Sequence, residues 1–170
     1  MDSHNAQRTS RGMQAALAGF QAGMLAVLVM LAWLGLASAW YGHTFWMPAN
    51  LMASTFYGPD AVRAGFTFAT LSGLALYVIA YSALGAAAGW ALHGQKSRAR
   101  VFLMAILFGL AWYYLWWAGL WHHLNGLITL YTHDRPMLVG HLLYGLWLGR
   151  FPHYLPRPSP AVTEPVSQPL

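Results

Sequence analysis

The chain has 170 residues, of which 58% are hydrophobic and only 8% charged, against roughly 25% charged in an average soluble domain. It lacks the polar surface a water-soluble fold needs. The basic surplus of +5 does not form the clustered Lys/Arg face that nucleic acid requires, and the lack of cysteine excludes disulfides, iron–sulfur clusters and thiolate zinc sites.

What remains is an integral membrane protein of the all-α class, because a span in hydrocarbon must satisfy its own backbone polar groups. The expected architecture is a bundle of four transmembrane helices with short interfacial helices in the outer loops. A helix needs about 20 residues to cross ~30 Å of hydrocarbon.

Residues 1–12 form a short N-terminal segment carrying Arg8 and Arg11. The first span covers residues 13–41. Its Ala37-Ser38-Ala39 resembles a signal-peptidase site, but the apolar run is far longer than the ~7–15 residues of a signal core, so it is a membrane anchor. Gln14 and Gln21 share a face of this span and are expected to contact other helices. The loop at 42–64 carries Phe45, Trp46, Met47, Leu51, Met52, Phe56 and Tyr57, suited to a short helix lying in the interface.

Spans two and three are expected over 65–92 and 101–121. The loop at 122–135, with Leu127, Ile128, Leu130 and Tyr131 after Gly126, should lie on the membrane or dip into it. The fourth span, 136–150, is the shortest; Asp134 suits its N-cap and Pro136 its first turn. These segments make a transmembrane domain over residues 13–151. The tail, 152–170, has Pro at 152, 156, 158, 160 and 165 and is expected to be extended or disordered.

Direction follows from the basic residues at the span ends. Arg8, Arg11, Lys96, Arg98, Arg100, Arg150 and Arg157 fall on one side, with Arg63 and Arg135 on the other. Positive charge favours the cytoplasm, so both termini are expected there, in a bacterial inner membrane.

Small residues recur at four-residue spacing as Gly19/Gly23, Gly85/Gly89 and Gly145/Gly149, with Ala105/Gly109 a weaker pair. Such spacing lets helix backbones approach closely, here in the cytoplasmic half of each span. Bulky rings do the opposite. Trp112, Tyr113, Tyr114, Trp116, Trp117 and Trp121 crowd the outer half of span three, level with Trp33, Trp40 and Trp46. They either fill the outer part of the bundle or line a cleft open to a lipid tail, quinone, pigment or haem edge. Tyr113, Trp117 and Trp121 form one stripe and Trp116 a neighbouring face, both candidates for contact with a partner or lipid.

Five of eight histidines (His43, His122, His123, His133 and His141) fall near the outer face. Imidazole ligates haem iron and other metals, which makes His141 with His122 or His123 the candidate cofactor ligands. No H-x-x-x-H, H-E-x-x-H, nucleophile or phosphate-loop motif occurs, so no metal site and no catalytic residue is assigned. His141, inside a span, is the leading functional candidate. In composition the chain resembles small multi-span subunits of respiratory and photosynthetic complexes. That implies a non-catalytic accessory or assembly subunit of an electron-transfer complex, with other integral membrane subunits and lipids as partners. The alternatives are a haem- or metal-binding electron carrier and a small homo-oligomeric channel or transporter.

Overall fold

The computed structural model describes residues 2–95, 97–115, 119, 123 and 125–155, without the side chains of residues 2–8 and 129. Among these residues the protein is helical throughout, with no strand. Three helices are long and apolar enough to cross a membrane: Thr9–Trp40, Phe68–Leu92 and Arg98–Leu115.

Helix α1 (Asp2–Trp40) begins well before Met13, so the first helix outruns its apolar stretch. Its buried face carries Ala15, Ala18, Ala22, Ala26, Met30 and Leu34, the three-to-four residue recurrence of one helical side. Gln14 and Gln21 are exposed beside that face, not within it. Alanine and glycine hold the buried face because α4 approaches backbone to backbone there, leaving no room for an amide.

Helix α4 (Phe68–Leu92) starts at a capping box: the Thr67 N–H donates to Thr70 Oγ1 at 2.9 Å, satisfying donors the first turn would otherwise leave open. It runs antiparallel to α1. A Cβ added at Gly19 would lie 2.9 Å from Gly89 Cα, and one added at Gly85 would lie 2.8 Å from Gly23 Cα. Glycine at these four positions is what permits the crossing.

Helix α5 (Arg98–Trp112) is capped by Ser97, whose hydroxyl accepts from the Arg100 N–H, and continues through Leu115 in wider π-type turns. Helix α7 (Asp134–Leu148) lies antiparallel between α1 and α5. His133 is its N-cap residue and Asp134 opens its first turn, one position later than the sequence suggests; an acid there still meets the positive helix end. A Cβ at Gly145 would lie 2.8 Å from Ile106 Cα, and one at Gly109 would lie 2.8 Å from the His141 carbonyl oxygen. The weaker Ala105/Gly109 spacing thus receives Gly145 of α7. A 3-10 turn, Phe151–Tyr154, follows and packs back on α1.

Helices α2 (Met47–Tyr57), α3 (Asp60–Arg63) and α6 (Gly126–Tyr131) form a cap over one end. A helix does form in the loop at 42–64, but Met47 through Ser54 are buried in it where an interfacial helix would leave a face open. The cause is α4: Gly73 admits the Ala49 carbonyl directly against its backbone. Asn50 then anchors the turn behind, donating Nδ2 to the Ala64 carbonyl at 2.7 Å and accepting from Thr70 Oγ1 at 2.6 Å.

Candidate functional site

A cluster of buried polar groups meets where α4, α5 and α7 converge. His141 is 1% exposed. Its Nδ1 lies 2.9 Å from the Met137 carbonyl oxygen, one turn earlier on α7. A carbonyl can only accept, so Nδ1 carries the proton, and in the neutral ring Nε2 is the acceptor. The Tyr81 hydroxyl, 2.8 Å away on α4, donates to it. Tyr144, fully buried, donates its own hydroxyl to the Tyr81 backbone carbonyl at 2.7 Å.

The rings around this chain of bonds are packed edge to face. Tyr144 meets Tyr81 at 5.0 Å between centroids, and Tyr113 meets His141 at 5.4 Å. Both nitrogens of His141 are thus engaged by protein groups. A haem iron could bind Nε2 only by displacing Tyr81.

No family model, curated protein or solved structure matches the chain. Function has to be read from the geometry alone.

Of the other candidate residues, Tyr113 packs against the His141 ring. His123 is exposed, and His122, Trp116, Trp117 and Trp121 lie outside the described residues. Tyr113 faces inward, only 7% exposed, a correction to its expected outward contact. It shares a stripe with Val101, Ala105 and Gly109, the side that α5 turns toward α7. Neighbouring Tyr114 is 63% exposed and takes the outward position. Among the described residues no group of three His, Asp or Glu side chains forms a metal-ligand cluster.

A cleft opens at the capped end between α1, α2 and the start of α7, lined by Ser38, Tyr41, His43, Tyr131, His133 and Met137. Tyr41 stacks on His133 with centroids 4.1 Å apart. The cleft holds about 40 Å³, the scale of a few water molecules.

Polar bonds around the cleft tie the cap together. Asn125 Nδ2 donates to Ser54 Oγ at 3.0 Å and Thr55 Oγ1 at 3.2 Å, while its Oδ1 accepts the Leu127 N–H. Arg63 donates to the Tyr131 hydroxyl at 3.2 Å, and that bond raises its pKa further above the ordinary value. Above the cleft Trp33 donates to the Pro136 carbonyl at 2.9 Å, joining α1 to the first turn of α7.

Sequence reasoning finds His141 because an ionisable residue inside an apolar span is conspicuous. It misses Tyr81, Tyr144, Asn50 and Asn125. For Tyr81 a signal existed: Tyr77 and Tyr81 are spaced one turn apart beside Ser82 and Gly85, a polar-tipped stripe on the side that carries the small residues.

Proposed function

We propose that α1, α4, α5 and α7 all cross the bilayer of a bacterial inner membrane with both termini cytoplasmic. On this proposal the protein is a non-catalytic accessory or assembly subunit of a larger membrane complex, with other integral subunits and lipid as its neighbours. An electron-transfer complex is the class that its composition favours. Helix α7 alone spans about 22 Å, and the following 3-10 turn extends it to about 30 Å, the thickness of the hydrocarbon. The alternating direction of the four helices supports a common side for both ends, and the positive charge supports the cytoplasm.

The observation that carries the accessory role is the placement of α5. Its membrane-length segment is 22% buried, against 44% for α1 and 39% for α4. Among the described residues α7 is the helix that grips it most closely, through Ala105, Gly109 and Tyr113. Leu103, Met104, Leu107 and Leu115 are exposed on its remaining surface. A helix held on one side is a surface for a neighbour, and large apolar side chains are the usual anchors. The Tyr81 and Tyr144 hydroxyls and the His141 imidazole bond to one another and to backbone, which suits a structural core. That pairing of His141 speaks against the electron-carrier alternative.

A photoreactive amino acid at Met104 or Leu115, both exposed on α5, activated in cells, tests the proposal. The expected product is a covalent adduct with a different membrane protein, identified by mass. Adducts with lipid alone, or with a second copy of this chain, would sink it.

A further inference from the structure

At the end of the bundle opposite the cap, α5 begins beside the point where α7 ends. A cleft there is lined by Arg98, Phe102, Gly149, Arg150, Pro152 and His153. It encloses about 380 Å³, within the range of sites that hold small ligands. We propose that this cleft binds the phosphate of an anionic phospholipid headgroup, with the acyl chains running along α5. The inference rests on the membrane reading above but needs no partner subunit.

Charge is the first reason. Arg98 and Arg100 occupy the first turn of α5, which holds no acid. The amino end of a helix is already positive, so two guanidinium groups there are unfavourable unless an anion sits among them. Arg150 approaches from the other helix, with its guanidinium 4.6 Å above the centre of the Trp147 ring. That stacking fixes the stem and leaves the fork of donors available for a bidentate grip on phosphate. Among the described side chains the carboxylates are Asp60 and Asp134, and both lie at the capped end, the whole length of α7 away. Among the described side chains no acid competes for the site.

Shape is the second reason. A Cβ at Gly149 would come 2.6 Å from the Phe102 ring, so glycine lets Phe102 lie against α7 and form the cleft's apolar floor. From there Phe102, Leu103 and Leu107, which are 38%, 58% and 55% exposed, make a continuous apolar track up α5. A basic pocket at the end of such a track between two helices is the form of a headgroup site. A soluble anion would use the arginines and ignore the track.

The test uses the full chain in a neutral detergent. Phosphatidylglycerol is titrated in and binding is followed by native mass spectrometry, with phosphatidylcholine as the neutral lipid and inorganic phosphate as the free anion. Phosphatidylglycerol should bind and phosphatidylcholine should not, and phosphate should fail to compete. Arg98→Gln with Arg150→Gln should weaken binding roughly 30-fold, whereas Arg63→Gln with Arg135→Gln should not change it. A photoreactive phosphatidylglycerol on the unaltered protein should label peptides covering 98–107 and 149–153, a result that does not depend on any variant folding. Labelling elsewhere, equal binding of phosphatidylcholine, full competition by phosphate, or unchanged binding in the double variant would each overturn the proposal. A failure here leaves the helix-face test at Met104 and Leu115 untouched, so the two are separable.

Discussion

Replacing Gly85 by alanine adds one methyl group at the glycine crossing of α1 and α4. The new Cβ would stand 2.8 Å from Gly23 Cα and 3.1 Å from Gly23 N, and closer still to the Gly19 carbonyl oxygen. Ordinary carbon contacts lie at about 3.5–4.0 Å, so α1 and α4 must part by roughly 1 Å. Every neighbouring atom is backbone, and no side chain can swing aside. A gap of that size forfeits a quarter to a half of each dispersion contact along the seam, and apolar lipid offers no hydrophobic drive to restore it. The expected loss is about 1–3 kcal/mol, measured by titrating the solubilised protein with denaturing detergent and following helix content. Gly19→Ala should cost a similar amount for the reciprocal reason. The double variant should cost less than both together, since one separation relieves both clashes. Gly94→Ala is the control, having nothing within 4 Å of the added carbon. If Gly85→Ala is as stable as Gly94→Ala, or the two crossing variants simply add, backbone contact does not hold this pair.

Removing the hydroxyl in Tyr81→Phe leaves His141 Nε2 a buried acceptor without a donor, and stability should fall by about 1–3 kcal/mol; nitrogen NMR of labelled histidine should show the Nδ1-protonated ring in the parent protein, and finding the other tautomer would contradict the bond to Met137. Asn50→Ala strips two donor bonds and one acceptor bond from the turn behind α2, so the cap should loosen and residues 58–66 should become cleavable by protease while helix content is kept. Reporter fusions after Gln95 and after Leu155 should read cytoplasmic and one at Asp60 should not; an external signal at Gln95 would reverse the orientation.

The parts of the fold that were legible in the sequence are those with a local period. Gly19/Gly23 and Gly85/Gly89 announce a crossing because four-residue spacing is one helical turn, and the apolar runs announce helix length because hydrocarbon thickness is fixed. Contacts between distant segments leave no such trace. Nothing near His141 in the chain points to Tyr81, sixty residues earlier. Composition also fails to say which way a ring turns: Tyr113 and Tyr114 are adjacent and chemically identical, yet Gly109 one turn back puts Tyr113 inward. Helix α2 was misjudged for a related reason. Apolar residues in a short outer helix look alike whether they meet lipid headgroups or another helix, and only Gly73 on α4, far along the chain, decides between them.

The order in which the helices hold one another bears on how the chain is made. Helices α1 and α4 lie within the first 92 residues with only the capping loop between them, so their glycine seam can close while the ribosome is still translating α5. Helix α5 leans little on that hairpin, because among the described residues its close contacts are mainly with α7. It must wait in the bilayer, or against the insertion machinery, until α7 emerges and slides between it and α1. A stalled or truncated chain ending before Asp134 would therefore carry a finished hairpin and an α5 without its main helical partner. Completion of the molecule is reported by its last helix.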